Sequence, residues 1–180
     1  MIRLGGWLFR HRGWLPVPLA AVMLVPRPAL RAEGLALLVL GELVRLWAVG
    51  HIGRRSRTRG EGVGALVRTG PYARLRNPLY VGNLLLWAGF GVLAWPAALL
   101  VVPALMLHYA LIVRWEERQL LAQIGSEYAL YLVEVPRWWP GGTPRPAAWD
   151  GAEALRSERG TFLVLAVLGG ALAVRCYLGG

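Results

Sequence analysis

The groups in this sequence best suited to act together are a carboxylate pair, Glu116 and Glu117, and the polar residues Arg74, Arg76 and Asn77. Two arms of similar length separate the two sites, so a helical hairpin would return both to one membrane depth. Tyr128 and Tyr131 lie three apart, on one helical face, and could fold over the cluster. A carboxylate receives an ammonium group, while Arg or backbone N–H groups receive a carboxylate, so the set suits a ligand carrying both. A surface salt-bridge network at the mouth of a helix pair would use the same residues. A second charged pair, Glu42 and Arg45, falls inside an apolar run. A charge at mid-span costs about 2.5–3.5 kcal/mol on insertion scales, so it normally faces the bundle interior with a partner. Glu42 and Arg45 share a face and either neutralise each other or leave one group facing a ligand cavity.

The stretch that must position the first cluster is 66–83. Gly70-Pro71 predicts a turn, because Gly permits positive φ and Pro fixes its own. Asn77-Pro78 bars the α region at Asn77 and supplies a first helical turn from Pro78. Tyr72, Arg74 and Arg76 therefore sit on a short, stiff piece of backbone. They read as an interfacial anchor or as a site for an anionic or zwitterionic ligand.

The chain of 180 residues is 56% hydrophobic, with apolar residues gathered in runs near membrane-span length. Its mean hydropathy is +0.46. It carries a formal charge of +10, and all 20 basic residues are Arg. They crowd the ends of the apolar runs, which points to anionic lipid headgroups and away from nucleic acid. One cysteine, Cys176, excludes an internal disulfide, and His11, His51 and His108 have no ligand spacing, so no metal centre is expected.

These features predict an all-α, polytopic membrane bundle of about five transmembrane helices. The opening run is broken by Pro16, Pro18 and Pro26 and reads as a short, kinked first span, not a cleaved signal. Residues 13–50 form an N-terminal helix hairpin, and 51–78 a basic loop with Arg54, Arg55, Arg57 and Arg59, cytoplasmic by the positive-inside rule. Gly60-Glu-Gly-Val-Gly64 has no strand before it and reads as a flexible linker, not a Rossmann turn. Residues 79–140 hold the core hairpin, turning at Trp95-Pro96, with its second helix running to Ile124 and ended by Gly125. Ser126 is expected to cap the short helix that follows, and Val135-Pro-Arg-Trp-Trp-Pro140 to form an aromatic belt. Residues 141–160 read as a linker and 161–178 as a last span.

Taken in order, Gly70-Pro-Tyr-x-x-x-Arg-Asn-Pro-x-Tyr-x-Gly-Asn83, Glu116-Glu-x-x-Leu120, Gly125-x-x-Tyr128-x-x-Tyr131 and Val135-Pro136 resemble the signature of the isoprenylcysteine carboxyl methyltransferase family, relatives of the phospholipid methyltransferases. The resemblance covers roughly residues 66–140. It implies a small membrane enzyme that uses S-adenosylmethionine without a Rossmann domain, its cofactor pocket at the cytoplasmic interface. Carried over, the pocket would comprise Gly70, Pro71, Tyr72, Arg76, Asn77, Pro78, Tyr80, Gly82, Asn83, Glu116, Glu117, Tyr128 and Tyr131. Arg76, Asn77 and Glu117 would be catalytic, with Glu117 meeting the amino group of the methionine moiety. Many members have His where this chain has Asn77, which cannot titrate, so no general base is assigned. The implied acceptor is a lipid or other hydrophobic molecule entering from the bilayer. Carboxylate, amine and thiol acceptors all stay open, as does the oligomeric state. Membrane NADPH-dependent steroid-type reductases share a similar layout, and a non-catalytic scaffold derived from the family is the third alternative.

Overall fold

In a computed structural model the described residues are 2–14, 16–52 and 66–178. The arginine run at 54–59 and the glycine-bearing stretch 60–64 lie outside them. Among the described residues there are eight α-helices and no strand: α1 (Ile2–Arg10), α2 (Pro16–Met23), α3 (Ala32–Ile52), α4 (Pro78–Leu93), α5 (Ala98–Ile124), α6 (Ser126–Glu134), α7 (Gly151–Ser157) and α8 (Arg159–Leu178). Helices α3, α5 and α8, of 21, 27 and 20 residues, are long and apolar enough to cross a membrane, and α4 is a shorter apolar helix. The molecule is a helical membrane bundle.

The first expected span, at the start of the 13–50 hairpin, holds only α2, of eight residues, and α1, of nine, lies before it; neither is long enough to cross alone. Pro16 has no N–H to give and starts α2 at a position where none is needed. Together they still travel the length of the bundle. Gly5 lies against Trp115 at one end, and Ala29 N–H donates to the Leu93 carbonyl at the other (2.8 Å).

Helices α3 and α4 form the tightest pair, because glycines face each other across it. A Cβ on Gly41 would stand 2.9 Å from the Gly82 carbonyl, and one on Gly89 would stand 2.8 Å from the Gly34 carbonyl. Such close backbone approach is how helices associate where lipid offers no hydrophobic drive. The core clusters at the far end of the hairpin, where Phe90, Leu93, Val101, Leu105 and Ile112 meet Met23, Leu168 and Leu172.

The α4–α5 hairpin turns at Trp95-Pro96, and α5 runs to Ile124 as the sequence indicated. Gly125 ends it with a φ of +74°, a conformation natural to Gly. Ser126 does not cap α6. Gly125 serves both helices, so Ser126 is already the first residue of α6, and no side chain caps that end. The stretch 141–160, expected as a linker, contains α7 and docks on α3. Trp149 Nε1 donates to the Leu46 carbonyl (3.1 Å) and Asp150 N–H to the Gly50 carbonyl (3.0 Å). Asp150 also accepts from Glu153 N–H and so caps α7.

Candidate functional site

The chain between the described start at 66 and α4 is built as an angular corner. Gly70 has a φ of +56°, with Pro71, Tyr72 and Ala73 completing a short 3₁₀ turn. Asn77 takes a non-helical conformation and Pro78 opens α4, as the X-Pro restriction requires. A strap from the far side of α6 holds this corner. Arg76 N–H donates to the Pro136 carbonyl (2.9 Å), Gly141 N–H to the Arg74 carbonyl (3.0 Å) and Gly70 N–H to the Arg145 carbonyl (2.9 Å). A Cβ on Gly142 would fall 2.1 Å from the Ala73 oxygen, so only Gly permits that contact.

The corner and the end of α5 meet as expected. Glu117 is 6% exposed. Its carboxylate accepts from Arg137 Nε (3.1 Å to Oε1, 3.0 Å to Oε2) and Arg137 Nη2 (2.6 Å), while Arg76 Nη1 lies 3.5 Å from Oε1. Those bonds raise Arg137's hold on its proton. Asn77 Nδ2 donates to the Arg137 carbonyl (3.2 Å), which fixes the same loop. Glu116 turns the other way and accepts from the Tyr80 hydroxyl (2.9 Å).

Tyr128 and Tyr131 are buried beside the cluster with ring centroids 5.7 Å apart. The Tyr131 hydroxyl donates to the Tyr72 carbonyl (2.8 Å), tying α6 to the corner. Burial pushes both hydroxyls well above the usual phenol range, and the Glu117 charge adds to the effect at Tyr128.

Not every expected residue turns this way. Gly82 faces α3, where a Cβ would meet Arg45 Cγ at 2.5 Å, and Asn83 Oδ1 accepts from Arg45 Nη1. The Arg74 side chain is exposed, and only its carbonyl serves the corner. Pro71, Tyr72 and Pro78 are buried and supply shape.

Arg137 was hidden in a stretch that reads as an aromatic belt. The signal for it is its place one residue after Pro136, whose carbonyl the corner uses. Arg45 likewise has a partner that helical spacing does not reveal. Its Nε donates to Glu158 Oε2 (3.2 Å), its Nη2 to the same oxygen and to Thr161 Oγ1 (2.8 Å), and Glu42 stands 3.9 Å away.

A zwitterion fits the chemistry of the corner: one buried carboxylate stands with two guanidinium groups, and Arg76 Nε is buried without a hydrogen-bond partner among the described residues. Residues 30–126 match the family model for phospholipid methyltransferase. The chain is 34% identical over 140 residues to the cobalt-zinc-cadmium resistance protein CzcN of Cupriavidus metallidurans, covering 76% of this chain and 58% of that protein. It is 32% identical over 114 residues to the nickel-cobalt-cadmium resistance protein NccN of Alcaligenes xylosoxydans xylosoxydans, covering 62% of this chain and 50% of that protein. The chain thus spans about half the length of these relatives. No solved structure matches. With more than half of its residues inside the matched region, including the whole corner and the Glu116–Glu117 pair, the chain belongs to the phospholipid methyltransferase family.

Proposed function

We propose that this chain is an integral membrane methyltransferase that uses S-adenosylmethionine and passes its methyl group to a lipid or other hydrophobic acceptor. What supports the reading is the convergence of Glu117 with Arg76 and Arg137 at the family's corner motif. S-adenosylmethionine supplies a methyl group on a positively charged sulfur. Glu117 holds the ligand's ammonium group in place of a guanidinium, and Arg76 and Arg137 turn to its carboxylate. Tyr128 and Tyr131 present aromatic faces that favour a nearby cation and exclude water. Asn77 orients the Arg137 loop and takes no proton. A carboxylate or thiolate acceptor needs only alignment with the donor, whereas an amine must arrive deprotonated. Arginine crowding around this end supports a cytoplasmic position for it. The two relatives are named as cobalt-zinc-cadmium and nickel-cobalt-cadmium resistance proteins, which supports metal resistance as the setting of this activity.

The reading is tested by calorimetric titration of the detergent-purified protein with S-adenosylhomocysteine, and separately with NADPH. Saturable binding of S-adenosylhomocysteine is expected, weakened about 10–100-fold in Glu117→Gln by loss of a charged hydrogen bond of about 1.5–3 kcal/mol. Binding of NADPH alone, or unchanged affinity in the variant, overturns it.

A further inference from the structure

Beside the corner, where Arg68 stands over the Tyr131 ring, lies a polar cavity of about 320 Å³. Its walls are Arg68, Ala73, Glu134, Val135, Thr143 and Arg145. None of these ionised groups contacts Glu117. Two guanidinium groups face one carboxylate here. Arg68 Nη2 and Arg145 Nη2 (3.2 Å) both donate to the same oxygen, Oε2 of Glu134. Arg68 Nε is buried and has no hydrogen-bond partner among the described residues. Its guanidinium carbon stands 5.8 Å from the Tyr131 ring centroid, so an aromatic face steadies the group. Arg145 is placed by its backbone, whose carbonyl accepts from Gly70 N–H (2.9 Å).

We propose that this cavity is a binding site for a phosphate-type oxyanion. The charge count calls for an anion, since the wall carries one more cation than anion. Two forked donors suit tetrahedral phosphate, which can accept from both at once, with the Thr143 hydroxyl at the rim. Glu134, half exposed, is the group an incoming anion displaces from the two arginines. The site stands at the mouth of the bundle, where the headgroup of an anionic lipid lies, and water-borne phosphate reaches the same place. The inference is independent of the methyl-donor reading, because it concerns different ionised groups and is measured without any methyl donor.

The test is calorimetric titration of the full chain in neutral detergent with short-chain phosphatidic acid, with inorganic phosphate and with the matching diacylglycerol. The variants are Arg145→Gln and Glu134→Gln. Phosphatidic acid should bind, diacylglycerol should not, and Arg145→Gln should weaken binding about tenfold. Glu134→Gln should tighten it, an effect that a folding defect does not produce. Binding of phosphatidic acid alone assigns the site to a lipid headgroup, and equal binding of inorganic phosphate assigns it to a soluble phosphate. Either supports the site. Binding of neither, equal binding of diacylglycerol, unchanged affinity in Arg145→Gln or weaker binding in Glu134→Gln overturns it.

Discussion

Two ion clusters in this molecule are opposites in charge and in purpose. At the corner, one carboxylate, Glu117, stands between two guanidinium groups, Arg137 and Arg76. Within the spans, one guanidinium, Arg45, stands between two carboxylates, Glu158 and Glu42. The first cluster has a door, because the Arg137 side chain is 35% exposed, as the proposed exchange of its partner for a ligand requires. In the second, neither partner of the main bond reaches water. Arg45 is 7% exposed and Glu158 0%, and the guanidinium also engages Asn83 and Thr161. It joins α3, α4 and the start of α8. Both clusters contain intramembrane or interfacial charges that a sequence reader would single out. Access to outside partners separates the site from the bolt.

The largest expected effect lies in the bolt. Arg45→Met takes away the guanidinium that buried Glu158 shares with Asn83 and Thr161, and breaking a buried pair of this kind typically costs about 3–5 kcal/mol. Loss of monodisperse protein on size-exclusion chromatography, in the detergent that keeps the native chain intact, would register it. Adding Glu158→Gln should restore much of the loss, because the two substitutions share one interaction and do not add. Glu117→Gln should cost less, because Arg137, its main partner, is 35% exposed and can turn to water. Equal destabilisation by Arg45→Met and Glu117→Gln would erase the distinction between the clusters.

A smaller effect probes how closed the corner is. The Tyr128 hydroxyl is held above the ordinary phenol value, first by burial and then by Glu117. An unfolded tyrosine ionises near about 10. Above that pH the unfolded chain releases a proton that the folded chain keeps, so stability should fall as pH rises from there towards the native value, and stay level below it. Tyr128→Phe should make this alkaline limb shallower in pH-dependent thermal unfolding, with Tyr131 keeping its own share. A limb of the same slope in the variant would place the titrating group elsewhere.

Much of this was legible because it is local. Pro78 had to open a helix, and Gly125 had to close the one that runs to Ile124. The meeting of Arg76 with Glu117 followed from the similar lengths of the two hairpin arms. What the sequence concealed depends on chain folding back over long separations. Glu158 reaches Arg45 only because Trp149 and Asp150 dock α7 on α3, and a Pro-, Gly- and charge-rich stretch gives no sign of that. Gly82 and Asn83 belong to the motif in sequence but lie on the α3-facing side of α4, a matter of helix rotation that spacing alone left undecided. Arg137 sits among tryptophans that favour the interface in any case, so nothing local distinguished its role.

The smallest expected effect concerns Glu42, the weaker arm of the bolt. Both its carboxylate oxygens are buried and receive no hydrogen bond among the described residues, and Arg45 Nε at 3.9 Å is too far to give one. Its side chain lines an apolar groove of about 730 Å³ between α3, α4 and α8, with Leu38, Phe90 and Leu172 on the same walls. A buried carboxylate without hydrogen bonds pays for its desolvation and receives only a distant, shared attraction in return. Gln of the same shape removes that charge while Arg45 keeps Glu158, Asn83 and Thr161. Glu42→Gln should therefore leave the unfolding midpoint unchanged or raise it, even though the residue sits in the same cluster as Arg45. A loss as large as that of Arg45→Met would show that the two carboxylates share the guanidinium equally, and that the bolt needs both.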